Sequence, residues 1–118
     1  MKYLLMIFAS EAAMQARSPA QTEEAHAAYG AYTEALKKAG AYLAGERLRP
    51  VATATTVRLK SGKSEVLNGP YAETKEQLAG YYLIDVPDLD EALRWARELP
   101  ILSYGAVEVR PVMQVPTA

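Results

Sequence analysis

Residues 68–86 read NGPYAETKEQLAGYYLIDV, and the rest of the chain is organised around them. The opening Asn-Gly-Pro predicts a turn, because glycine tolerates positive φ and proline fixes its own φ and restricts the residue before it. Three charged residues, Glu73, Lys75 and Glu76, follow the turn. The run at residues 80–86 is rich in aromatic and aliphatic side chains, which is typical of a buried strand. The stretch therefore places charged residues at the edge of the expected core.

Six segments of the chain have the pattern of strands. Residues 2–8 and 80–86 are apolar on both alternating sets, so both of their faces must be covered. The remaining four are residues 41–48, 53–59, 65–67 and 107–112. Residues 53–59 and 65–67 form a hairpin around a turn at 61–63, and residues 107–112 form a strand with one wetter face.

Two segments have the signals of helices. The first begins after Ser18, which is followed by proline and by a glutamine in the capping-box position, and it ends before Gly40. The second begins after Asp88, with Glu91 three residues on, and ends by Pro100. Both carry apolar residues at three- and four-residue spacing, so each packs one stripe on a sheet.

The order of these elements is β-α-β, an inserted hairpin, then β-α-β, which predicts an α+β fold. Two interleaved crossovers of this kind give a ferredoxin-like split β-α-β sandwich with the first and third core strands in the centre. Two helices cover only one face of a four-stranded sheet, and the apolar residues of the other face then need a partner. We expect a single domain over residues 1–118 that forms a homodimer.

Composition excludes several classes of protein. The 118 residues include 13 Lys plus Arg and 14 Asp plus Glu, and this balance argues against direct binding of nucleic acid, which favours a basic excess. The absence of cysteine excludes disulfides, a thiolate nucleophile and cysteine-ligated metal. No apolar run approaches the ~20 residues of a membrane helix, and no signal-peptide cleavage site is seen. We therefore expect a cytoplasmic protein without membrane attachment, metal or cofactor.

The stretch quoted above resembles the DGPF group of the YCII-related domain family. The group's tetrapeptide Asp-Gly-Pro-Phe stands here as Asn68-Gly69-Pro70-Tyr71, and matching segments follow in register at residues 73–80, Glu-Thr-Lys-Glu-Gln-Leu-Ala-Gly, and 89–92, Leu-Asp-Glu-Ala. The match extends to the opening strand and to residues 54–58 and 107–111. The resemblance implies a dimeric α+β barrel in which two sheets face each other.

The resemblance does not supply a catalytic residue. The group's aspartate is replaced by Asn68 and its phenylalanine by Tyr71, so a catalytic acid at that place would be lost. The wider family is associated with a histidine and an aspartate on the first helix. The places of that pair are taken here by Tyr29 and, nearly, by Lys38, so the pair does not carry over and His26 does not inherit it.

Four residues are candidates for acid–base catalysis. Glu73, Glu76 and Asp85 are carboxylates at the edge of the core, where burial can raise a pKa toward neutral. Glu73 and Glu76 are equally typical of a solvated charge run, and Asp85 of a residue that fixes the turn before a helix. His26, the single histidine, is either a half-exposed helix residue or a proton-transfer group.

A second set of residues suits ligand binding, namely Tyr71, Glu73, Lys75, Arg58 and Tyr29. The guanidinium of Arg58 matches an anionic ligand, although strand arginines also pair with a neighbouring acid, as Arg110 can with Glu108. Tyrosines combine an apolar body with a polar tip and suit either a cavity wall or the core. We expect the pocket to lie between the sheet, the hairpin and residues 68–76.

The sequence leaves three function classes open and does not name a ligand or a reaction. The first is a cofactor-free enzyme that moves a proton on a small molecule in this pocket. The second is a non-catalytic ligand-binding protein. The third is a protein-interaction module for transcription dependent on alternative sigma factors, because some members of the family resemble companions of, or fusions to, such factors.

Overall fold

The computed structural model describes residues 1–115 as two antiparallel sheets and three helices. This arrangement confirms the predicted α+β class. The elements are β1 (Lys2–Ala9), α1 (Glu11–Gln15), α2 (Pro19–Lys38), β2 (Tyr42–Arg47), β3 (Thr55–Lys60), β4 (Lys63–Asn68), β5 (Gln77–Asp85), α3 (Leu89–Arg97) and β6 (Gly105–Pro111), with single 3-10 turns at Val51–Thr53 and Pro100–Ser103.

The main sheet has the strand order β2-β5-β1-β6, and every neighbouring pair is antiparallel. The two central strands are β1 and β5, the two segments whose sequences are apolar on both faces. Among residues 1–115, strands β3 and β4 pair only with each other and form a separate hairpin through the turn at residues 61–62. This hairpin connects the two β-α-β halves of the chain and lies outside the main sheet.

One face of the main sheet packs against α2 and α3 and holds the core. Alternate residues of β1 are buried on this face, and Leu5 is fully buried. The ring of Tyr32 on α2 meets those of Tyr82 and Trp95 edge to face, with centroids 5.2 and 5.8 Å apart. The Tyr32 hydroxyl donates to the carbonyl of Trp95 at 2.8 Å, so this buried phenol is satisfied.

The other face of the main sheet carries a second apolar surface. The intervening residues of β1, Leu4, Met6 and Phe8, point away from the helices and are only partly buried. Leu4 lies opposite Leu83, and Met6 lies opposite Tyr81, so the apolar side chains continue onto β5. We call this surface, formed by Leu4, Met6, Phe8, Tyr81 and Leu83, the open face.

The structure adds two features that the pattern of the sequence did not predict. Helix α1 follows β1 directly and begins at an N-cap, Ser10, whose Oγ accepts from the N–H of Ala13 at 3.2 Å. Strand β5 begins at Gln77 rather than at Gly80, because Gln77 and Leu78 still pair with Ala9 and Phe8 of β1. The pairing partner extends this strand beyond its most apolar residues.

The predicted ends of α2 are confirmed. The Oγ of Ser18 accepts from the N–H of Gln21 at 3.1 Å, and the Gln21 side chain accepts from the N–H of Ser18 at 2.9 Å. Gly40 follows the helix with φ of 71°, a conformation that glycine adopts without the strain of a Cβ atom.

Helix α3 has the predicted N-cap, but not all of its apolar residues are buried. Leu89 is 48% exposed, whereas Trp95 is buried together with Ala92 and Ala96. A nine-residue helix presents a narrow stripe to the sheet, and the bulky indole occupies it.

An Asp88→Ala substitution is expected to lower the free energy of unfolding by about 1 kcal/mol. The Oδ1 of Asp88 accepts from the N–H of Glu91 at 2.9 Å, and alanine leaves that first-turn donor without its partner. Urea unfolding measures the change. Asp90→Ala, in the same turn but without a cap hydrogen bond, is the matched control, and an equal loss in both variants would contradict a capping role.

Candidate functional site

A cavity of about 440 Å³ lies between α2 and the part of the main sheet formed by β2 and β5. The helix contributes Ala25, His26, Tyr29, Gly30 and Thr33, and the two strands contribute Tyr42, Gly45, Glu46, Arg47 and residues 79–82. The walls also include Ile7, Met14, Arg17 and Ile101.

Small residues on both walls make room for this cavity. A Cβ atom at Gly30 of α2 would meet no atom within 4 Å, so the helix stands away from the sheet at that point. On the opposite wall, a Cβ atom at Gly80 would lie 2.6 Å from the carbonyl oxygen of Glu46. Glycine at position 80 therefore allows the backbone of β2 to pass close to β5 and to bring its side chains to the cavity.

Tyr29 contributes a phenol with a raised pKa to the cavity. Partial burial raises its pKa to about 12, and the neighbouring Tyr82 adds to this effect. The positive charges of Arg47 and Arg17 lower the pKa by a smaller amount. Tyr29 consequently keeps its proton at neutral pH and can donate a hydrogen bond to a bound ligand.

A short hydrogen-bond chain joins the helix to β5 inside the cavity. The Oγ1 of Thr33 donates to the carbonyl of Tyr29 at 2.9 Å and lies 2.7 Å from the Oη of Tyr82. Because a threonine hydroxyl has a single proton, Tyr82 is the donor in the second bond. The lone pairs of the Tyr82 oxygen then remain available as acceptors.

Two arginines supply positive charge to the cavity. Arg47 lies at the end of β2, opposite Gly80 in the register. Arg17 follows α1, and its Nε donates to the carbonyl of Met14 at 3.2 Å. Within residues 1–115, neither guanidinium forms an ion pair with a carboxylate.

The residues that the sequence favoured for a site lie in four places. His26 and Tyr29 line the cavity. Tyr71 is 76% exposed beside the hairpin, and the guanidinium of Arg58 lies 5.0 Å from the centre of its ring. Glu73, Lys75 and Glu76 are exposed in the segment before β5 and do not line the cavity.

Asp85 is engaged at the far end of β5. Its Oδ1 lies 2.8 Å from the ammonium of Met1, and the hydrogen bond and charge of that group lower the pKa of the carboxyl. A carboxylate held in this way is ionised at neutral pH and is poorly suited to donate a proton.

The sequence did not indicate Arg17, Arg47 or Thr33 as site residues. A signal for part of the cavity was nevertheless present, because residues 26, 29, 30 and 33 follow the spacing of one helix face. Arg110, by contrast, pairs with Glu108 as predicted, with Nε and Oε2 3.8 Å apart.

Metal ligands do not cluster in the part of the chain that the structure describes: no group of three or more His, Cys, Asp or Glu side chains is placed to hold an ion. Among the same residues, no helix combines the length and the apolar character needed to cross a membrane.

The family assignment rests on a comparison of the whole chain. The family model described as YCII-related domain matches residues 1–116. The chain belongs to the YCII-related domain family. This YCII-related chain is also 40% identical, over 114 residues, to an uncharacterized protein of Rhizobium meliloti (strain 1021), with 95% of this chain and 92% of the relative covered.

Proposed function

We propose that this YCII-related protein binds a small organic molecule in the cavity between α2 and strands β2 and β5. The observation that carries the proposal is the cavity itself, whose volume of about 440 Å³ falls within the range of small-molecule sites. Its walls are mainly aliphatic and aromatic, with a few polar groups that converge from both sides, as is usual for such sites.

A second candidate function is proton-transfer catalysis without a cofactor in the same cavity. It is favoured by the presence of His26 and Tyr29 on one face of α2, since a histidine is a common general acid–base and a protonated phenol can stabilise a developing oxyanion. The candidates Glu73, Glu76, Lys75, Tyr71, Arg58 and Asp85 lie outside this cavity and have no part in the proposal.

We also propose that the chain is a DGPF-type member with a ferredoxin-like fold and that two copies form a dimeric α+β barrel. The observed strand order and the open face support this arrangement, because an apolar sheet surface of this kind normally has a partner. The hairpin offers more apolar surface: Val57 and Val66 face each other across it, and with Leu59 they are 65% exposed or more.

The binding proposal is tested by filling the cavity, an approach that works before the natural ligand is identified. We expect compounds from a panel of small aromatic and aliphatic molecules to raise the melting temperature of the parent protein. A Gly30→Leu variant should abolish these shifts, because position 30 lines the cavity and has free space for a side chain. Leucine also favours helix over glycine, so the variant should fold.

Ala31→Leu is the matched control, since Ala31 is exposed on the same helix and does not line the cavity. Thermal shift measurements on the three proteins decide the question. Shifts that survive in Gly30→Leu, or a panel without any effect on the parent protein, would overturn the proposed site.

A further inference from the structure

The charge around the cavity is unbalanced. Arg17 and Arg47 both line it, and neither is paired with a carboxylate among residues 1–115. Glu11, on the short helix before Arg17, does not line the cavity, and its Oε1 accepts from the N–H of Val51 at 2.8 Å. Arg17 is half-buried and Arg47 is exposed, so a ligand that enters the cavity can reach both guanidinium groups and supply a counter-charge.

Glu46 does not supply that counter-charge, although it is among the lining residues. Side chains alternate along a strand, and the register places Gly45 opposite the buried Tyr82 and Arg47 opposite Gly80. Glu46 lies opposite Tyr81, on the open face, so its carboxylate and the guanidinium of Arg47 leave β2 in opposite directions.

We propose that the ligand of this cavity is an organic acid whose carboxylate is bound by Arg17 and Arg47 and whose apolar body lies against Ile7, Tyr42 and Tyr82. This inference rests on the proposed binding function and names its ligand class. Guanidinium groups match the two oxygens of a carboxylate, and charge-assisted hydrogen bonds of this kind are roughly twice as strong as neutral ones.

The hydroxyl groups of the cavity are arranged to complement such an acid. Tyr29 keeps its proton, lies within the influence of both arginines and can donate a third hydrogen bond to the carboxylate. The lone pairs of the Tyr82 oxygen can accept from a hydroxyl or amide N–H on the body of the ligand, since its own proton goes to Thr33. The apolar majority of the lining favours a single charged group at one end over a ligand charged throughout.

The test compares acids with neutral amides of the same shape. Benzoate, 3-phenylpropionate and hexanoate are each paired with their primary amide and titrated into the parent protein by calorimetry at physiological salt. We expect at least one acid to bind about 10-fold more tightly than its amide, a preference that charge-assisted hydrogen bonds can supply.

Arg47→Gln and Arg17→Gln should each remove most of this preference, and Arg47→Lys should restore part of it. Arg49→Gln is the control, because Arg49 is exposed two residues further along the chain and does not line the cavity. The Arg49→Gln variant should prefer acids over amides as strongly as the parent protein does.

The outcomes separate this inference from the proposed function. Amides that bind as tightly as acids would overturn the ligand class and leave the binding site intact. An acid preference that survives in both arginine variants would overturn the assignment of the two arginines. Failure of all six compounds to bind at millimolar concentration, together with an inert screening panel, would overturn both proposals.

Discussion

A Met6→Asp variant is expected to behave as a monomer under conditions in which the parent protein is a dimer. Met6 lies in the middle of the open face, opposite Tyr81 on one neighbouring strand and Glu108 on the other. In the proposed dimer this position is covered by the second copy. An unpaired carboxylate buried in such a seam costs several kcal/mol, enough to dissociate an interface of about 1,600 Å².

Light scattering at micromolar concentration measures the change, and circular dichroism shows whether the variant remains folded. Met113→Asp provides the control, because Met113 is 83% exposed beyond the end of β6. A parent protein that is itself monomeric would contradict the proposed dimer. A Met6→Asp variant that remains dimeric would show that the interface does not lie on the open face.

A Gly80→Ala variant is expected to lose about 2 to 3 kcal/mol of its free energy of unfolding. The added methyl group would lie 2.6 Å from the carbonyl oxygen of Glu46 and 3.3 Å from the Cα of Arg47, both of them backbone atoms. Backbone held in strand pairing cannot rotate away as a side chain can, so the end of β2 must move off β5. Urea unfolding with tryptophan fluorescence measures the loss.

Gly30→Ala adds the same methyl group at a place with free space and serves as the counterpart. Alanine favours a helix interior over glycine by roughly 0.5 to 1 kcal/mol, so this variant should become more stable. Equal effects in the two variants would show that the close approach of β2 to β5 does not limit position 80.

The local signals in the sequence predicted most of the elements because each depends on neighbours in the chain. The caps at Ser18, Gly40 and Asp88 are formed by residues no more than four positions away, and all three are present in the structure. The apolar character of β1 and β5 on both faces likewise indicated their central position in the sheet. Helix α1 and the first residues of β5 are exceptions that this reasoning did not predict.

The position of the cavity could not be predicted in the same way. Glu73, Lys75 and Glu76 are close together in the sequence and were predicted to lie at a site, yet they are exposed to solvent. Arg47 occurs in a stretch with Arg49 that is typical of an exposed strand end. Its role as a lining residue depends on the register that places it opposite Gly80, and that register is set by pairing between distant parts of the chain.

The central position of β1 also affects how the protein is made. This strand leaves the ribosome before its partners β5 and β6, and Tyr3 pairs with both Ile84 and Pro111. The hairpin of β3 and β4 needs only local contacts and can close during translation, whereas the main sheet cannot be completed until residue 111 has emerged. Between the synthesis of β1 and that of β5, the nascent chain therefore carries an apolar strand without its sheet partners, a state that is prone to aggregation.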